Sequence, residues 1–239
     1  MTFSRSKPRG SKYQQKQIDP VNIHIAFEGA EDEAEHFDAL KHAIPKQFAQ
    51  LLELVVVNKS STASAPVKVY EDIAAHLNTR NIKLNNSPKA DHIAYMVIDK
   101  DHHFERTHAN TNRQAIRHAK DKNIRIICNT PSFDLWLLCH YLDVDNCDES
   151  LKEELFENNK TSYRSSSRIK QVLNQHRQGE SSIELINKTQ TALENEKALG
   201  RDLERIPPES LTSNVGYIIE EIQSHGIPLF KPQHSTRPT

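Results

Sequence analysis

The sequence predicts an α/β protein: an open parallel sheet flanked by helices, followed by a C-terminal helical extension. Three observations carry this expectation. Four short, apolar, β-branched runs recur within the first 146 residues, each as long as a buried strand. A helical segment follows each run after a short connection, and strand–helix repetition implies parallel pairing with helices on both faces. Beyond residue 146 the strand-like runs stop and only helical spacing continues.

The first strand is VNIHIAF, Val21 to Phe27, closed by Glu28-Gly29. The acidic stretch Ala30 to Ile44 follows, with Ala34, Phe37 and Leu40 stepping round one helix face. Leu52 to Asn58 is the second strand, and Pro66 opens a helix reaching Asn78. His92 to Asp99 is the third strand, followed by a polar helix from Glu105 to Lys122. Asn123 to Asn129 is the fourth. Thr130 and Pro131 then suit the cap and first turn of a helix running to Leu142. Further helices are expected over 148–157, 163–176, 181–199 and 212–225, punctuated by Gly200 and Pro207-Pro208. The expected organisation is a basic disordered tail (1–20), the α/β domain (21–146), the helical extension (147–227) and a flexible tail (228–239).

Composition narrows the function classes. The 239 residues are 36% hydrophobic, with a mean hydropathy of -0.70, so much of the chain must be solvated helix face, loop or tail. Basic and acidic residues number 31 and 32, so any nucleic-acid-binding surface must be local rather than global. Aromatic residues are only 6%, and no base-stacking platform stands out. No apolar run reaches membrane-spanning length. Cys128, Cys139 and Cys147 lack metal-ligand pairing and read as reduced thiols, which places the protein in the cytoplasm.

In an open parallel sheet, chemistry collects at the carboxyl ends of the strands. Here those ends carry Glu28, the pair Asp99 and Asp101, and Asn129, with Asp32, Glu33 and Asp134 about a helical turn beyond strand ends. Singly, each has an ordinary explanation: Asp is a turn residue, acids favour a helix N-terminus, and Gly29 can supply a positive φ. Together they form a concentration of carboxylates that needs neutralising, and Mg²⁺ or Mn²⁺ does this with one or two carboxylates plus substrate phosphates. Asp99 and Asp101 are two apart, so in an extended chain they face the same side.

These residues carry a resemblance. An apolar strand ending in Glu-Gly, then one ending in Asp-x-Asp, resembles the Toprim domain of topoisomerases, primases and related nucleases. Four motifs in order are similar to the RloB-like family of Toprim proteins: FEGAEDEAEHF (Phe27 to Phe37), VIDKD (Val97 to Asp101), NTPSFDLWLLCHY (Asn129 to Tyr141) and LTSNVGYIIEEI (Leu211 to Ile222). The family usually carries Glu where Asp134 stands and Thr where Asp32 stands, and its Lys-bearing segment is loosely matched by KTSYRSSSRIK (Lys160 to Lys170).

The resemblance implies a Toprim-like sheet in 21–146 and a Mg²⁺- or Mn²⁺-dependent endonuclease acting on DNA or RNA, tRNA included. It implies a role in prokaryotic anti-phage defence beside an ATPase encoded nearby. Glu28, Asp99 and Asp101 would be catalytic. Glu28, Glu33, Asp99, Asp101 and Asp134 would hold metal, and Lys160, Arg164, Arg168 and Lys170 would hold nucleic acid. The alternative is a non-catalytic nucleic-acid- or nucleotide-binding subunit of a complex with that ATPase. A dehalogenase-type phosphatase would carry its Asp pair after the first strand, and a receiver domain needs a Lys after a fifth. His102 and His103 read as loop residues, and His140 shares a helix face with Trp136, where packing is its simplest role. The substrate and the oligomeric state, a homo-oligomer included, stay open at this point.

Overall fold

A computed structural model of the chain describes residues 20–29, 31–61, 65–87, 90–100, 104–105, 109–160, 162 and 165–229. Strands β1 (Val21–Phe27), β2 (Leu52–Val56), β3 (His92–Asp99) and β4 (Arg125–Asn129) form one sheet in the order β2-β1-β3-β4. Every pairing is parallel, as the strand–helix repetition predicts. After β1 the chain adds β2 on one side and then crosses to add β3 on the other. This reversal opens a crevice at the carboxyl ends of β1 and β3. The register sets Phe27 opposite Val97 and Asp99 opposite Asn129.

The helices are α1 (Asp32–Ala43), α2 (Pro66–Thr79), α3 (Ala109–Asp121), α4 (Asp134–Cys139), α5 (Glu149–Glu157), α6 (Arg168–Arg177), α7 (Ser182–Ile186), α8 (Thr189–Leu199) and α9 (Gly216–Ser224). Side chains of the sheet divide with the strand period of two. Ala26, Ala94, Met96, Ile98 and Ile126 face a core completed by Val69, Ile73 and Leu77 of α2 and Ile116 and Ala119 of α3. Ile23, Ile25, Phe27, Tyr95, Val97 and Ile127 face the other, completed by Phe37 and Leu40 of α1, Trp136 of α4, Leu193 of α8 and Ile218, Ile219 and Ile222 of α9. The C-terminal helices thus share one core with the sheet. Among the described residues no helix is long and apolar enough to cross a membrane, and all three cysteines are unpaired.

Several expected boundaries move. Thr130 does not cap a helix. Its N–H donates to the Thr212 carbonyl at 2.8 Å and its carbonyl accepts from Thr212 N–H at 3.0 Å, so the chain stays extended and α4 begins only at Asp134. The fourth strand starts at Arg125 because Asn123 turns with φ 60°. The stretch 181–199 is two helices: Ser181 and Glu184 form a capping box for α7, and α8 starts at Thr189. The helix expected over 163–176 begins at Arg168, and that expected over 212–225 begins at Gly216, because Thr212 is extended against Thr130.

Buried histidines add a pH-sensitive element. His24 in β1 lies 3.1 Å from both His76 Nε2 and His92 Nδ1, and Arg80 Nη1 lies 3.0 Å from His76 Nδ1. Arginine can only donate, so neutral His76 must donate through Nε2 to His24, and His24 in turn to His92. Burial, with the charges of His76 and His92, lowers the His24 pKa to about 4. Across the sheet, Trp136 Nε1 donates to His36 Nε2 at 3.0 Å, and His140 Nδ1 donates to the Trp136 carbonyl at 3.0 Å. Burial holds His36 well below its ordinary pKa and lowers His140 to about 4.

A histidine whose folded pKa is depressed stabilises the fold above its unfolded pKa and loses that contribution as pH falls toward the folded value. Glu33→Gln removes a carboxyl whose raised pKa contributes with the opposite sign over the same window. In that background, unfolding free energy from urea titrations is therefore expected to be level above about pH 7 and to drop as pH falls from the ordinary 6.5 to about 4. His140 alone supplies on the order of 3 kcal/mol of that drop. A flat profile through this window would contradict neutral, buried histidines.

Candidate active site

The crevice at the strand ends gathers side chains from four elements. Asp99 is the last residue of β3, and Glu28 follows β1 directly with 5% of its surface exposed. Asp32 and Glu33 occupy the first turn of α1, and Asp134 is the first residue of α4. A cavity of about 780 Å³ is lined by Asp32, Glu33, Asp99 and Asp134, with Lys100, Lys160 and Lys170 also on its wall. Glu28 is buried beside this cavity rather than on its lining. Both Glu28 and Asp99 lie close enough to Cys128 for their charges to raise its pKa, after the larger effect of burial.

Gly29 is needed for close approach, not for a positive φ. Its N–H donates to Glu33 Oε1 at 2.9 Å, and a Cβ at position 29 would lie 1.7 Å from Glu33 Oε2. Glu33 is thereby folded back toward the β1 end and buried. Burial raises its pKa to about 7; the Asp134 and Asp32 charges add to this, against the hydrogen bond from Gly29. Asp32 is held differently: Lys170 Nζ lies 2.6 Å from its Oδ2 and Arg177 Nη1 3.4 Å from its Oδ1. These cations come from α6, 138 and 145 positions along the chain.

The structure thus brings Glu33, Asp99 and Asp134 to one cavity with Lys160 and Lys170, and sets Glu28 next to it. Arg168 is turned instead to Glu154, with Nε 2.7 Å from Oε2. Asp101, His102, His103 and Arg164 lie outside the described residues. His140 packs edge-on against Trp136, with ring centroids 4.9 Å apart, inside the core.

Three polar residues were given no role from the sequence, Asn129 among them although it was named as a strand end. Lys59, just past β2, donates to the main-chain carbonyl of Glu28. Lys100 sits over the Phe156 ring at 4.7 Å. Asn129 Nδ2 lies 3.3 Å from Asp99 Oδ1. Each sits at or beside the carboxyl end of a strand, so attention to all polar residues there, not only the acids, would have marked them.

The donor set is hard carboxylate oxygen, which suits Mg²⁺ or Mn²⁺. Burial, more than the Asp134 and Asp32 charges, raises the Glu33 carboxyl to about 7, and a divalent cation in the cavity would favour its ionised form. Among the described residues no group of three or more His, Cys, Asp or Glu forms a ready cage.

Gly29→Ala should displace the flexible end of Glu33 while leaving the core intact. Its carboxyl titration, followed by ¹³C resonance, is expected to move from about 7 toward the ordinary 4.5, with little change in thermal midpoint. A Glu33 titration unchanged by the substitution would show that the carboxylate is not seated on Gly29.

No curated protein and no solved structure matches the chain. The model of the RloB-like protein family matches residues 23–222, from the first strand into α9. That span takes in the four strands, the acidic cavity and the C-terminal helices packed on the sheet, and the chain belongs to the RloB-like protein family.

Proposed function

We propose that this protein is a Mg²⁺- or Mn²⁺-dependent nuclease of the Toprim type, hydrolysing phosphodiester bonds in DNA or RNA. The observation that carries the reading is the convergence of Glu33, Asp99 and Asp134, with Glu28 beside them, at the β1/β3 crevice. The order Glu, then Asp-x-Asp, on neighbouring strand ends is that of Toprim domains, and membership of the RloB-like family supports it.

Asp99, with Asp101, would hold the ion, and Glu33 and Asp134 would serve it or a second one. The bound cation supplies charge neutralisation at the scissile phosphate and the leaving oxygen. Glu28, screened from solvent, positions the attacking water or accepts its proton. Lys100, Lys160 and Lys170 stand on the same wall, where charge-assisted hydrogen bonds hold flanking phosphates. Lys170 would exchange its contact with Asp32 for one with substrate. The family resemblance extends the reading to an effector of prokaryotic anti-phage defence working beside an ATPase. A binding subunit of such a complex is the second reading, in which the same cavity would hold nucleic acid or nucleotide without cleaving it.

The test is cleavage of single- and double-stranded DNA, tRNA and messenger RNA by purified protein, with Mg²⁺ or Mn²⁺ and with EDTA. Metal-dependent cutting is expected, reduced on the order of 10³-fold or more in an Asp99→Ala, Asp101→Ala double variant and on the order of 10²-fold in Glu28→Gln. Metal binding without cleavage of any substrate, with the ATPase partner present, would favour the binding subunit. Cutting that survives in the double variant would sink the nuclease assignment to this site.

A further inference from the structure

The fourth motif of the sequence, LTSNVG, has no part in the cavity lining, yet its polar residues are fully buried. Ser213 and Asn214 are 0% exposed, as are Asn129 and Glu196. They lie behind Asp99. Asn129 Nδ2 is 3.3 Å from Asp99 Oδ1, and Asn129 Oδ1 is 3.5 Å from both Asn214 N and Ser213 Oγ. The single Ser213 hydroxyl proton goes to Glu196 Oε1 at 2.9 Å, which leaves Asn214 N–H as the donor to Asn129 Oδ1, and Glu196 Oε1 also accepts Gly216 N–H at 2.9 Å.

The donor and acceptor identities leave one orientation for the Asn129 amide. The main-chain N–H of Asn214 can only donate, so the amide oxygen faces it. An ionised Asp99 can only accept, so the amide nitrogen faces Asp99. The segment supplying Asn214 is itself fixed. The Asn214 amide donates to Cys128 O at 3.0 Å and Asp202 O at 2.8 Å, and accepts from Asp202 N at 3.1 Å. Asn129 is held by its backbone too, because Lys100 N–H donates to its carbonyl at 2.8 Å.

We propose that Asn129 is a positioning residue that fixes the Asp99 carboxylate for cation binding, and that the buried Ser213-Asn214 turn clamps Asn129 in the orientation this requires. The inference rests on the reading of Asp99 as a cation ligand. It gives the C-terminal helices a part in the chemistry of the sheet edge. An Asp at 129 could not substitute, since it would set a second carboxylate against Asp99.

Two measurements on the full-length chain test this. The first needs no metal. The side-chain amide resonances of Asn129 are compared between the parent and Asp99→Ala, a change on the cavity wall that leaves the core in place. An upfield shift of the amide protons is expected; unmoved resonances would overturn the contact and the proposal with it. The second is Mn²⁺ affinity by calorimetry. Asn129→Ala is expected to bind at least tenfold more weakly than the parent, the usual cost of losing an outer-shell partner. Parent-like Mn²⁺ affinity in a folded Asn129→Ala, alongside loss of binding in Asp99→Ala, would also overturn it. If the parent itself binds no Mn²⁺, the cation reading of Asp99 fails and the positioning role falls with it. The resonance experiment then still reports whether Asn129 contacts Asp99.

Discussion

The central position of β1, paired on one edge with β2 and on the other with β3, is the constraint on which the rest of this molecule depends. It places the end of a strand formed early in the chain beside the end of one formed some seventy residues later, with Glu28 and Asp99 at those ends. An uninterrupted order of strands would have carried the crossovers over one face and closed the crevice. The reversal splits the helices between two faces, and their N-terminal turns then converge on the same edge as the acids. Asp32 and Glu33 in α1 and Asp134 in α4 reach the cavity for this reason.

Concentrating carboxylates in a partly buried crevice has an electrostatic cost, and the fold meets it in different ways. Asp32 receives Lys170 and Arg177 from α6. Glu33 receives a backbone N–H across the missing side chain of Gly29, yet its pKa is still raised to about 7. Asp99 receives the Asn129 amide. The first and last of these depend on segments beyond residue 146. The C-terminal helices are therefore part of the site's charge balance as well as of its core, in keeping with a family match that runs through both.

The edge of β4 shows the same interdependence. A parallel sheet ends in an unpaired edge that must be covered. Here Thr212 pairs with Thr130, and the Asn214 amide takes the Cys128 carbonyl. Behind them, buried Glu196 is matched by Arg201, with Nη2 2.5 Å from Oε2, and Arg201 also reaches Glu220 at 2.7 Å. Gly216 allows this approach, since a Cβ there would lie 2.1 Å from Glu196 Oε2. One buried ionic cluster thus joins α8 to α9 and fixes the turn that covers the sheet edge.

The sequence by itself determined the fold class, the four strands, their parallel pairing and the acids at their ends. These follow from local facts: apolar runs of strand length, helical spacing between them, and the direction that such repetition imposes on the sheet. It also carried the motifs that mark the family. Tertiary structure decided which partners those residues take. Nothing near Asp32 in the chain announces Lys170 or Arg177, and nothing near Arg168 announces Glu154. The late start of α4 depends on Thr212, eighty-two positions after Thr130. Gly29 is local, but its purpose depends on the Glu33 side chain turning back onto it. Periodicity reports the face a residue occupies; only the packed fold brings that face against its partner, and burial and charge pairing are properties of that meeting.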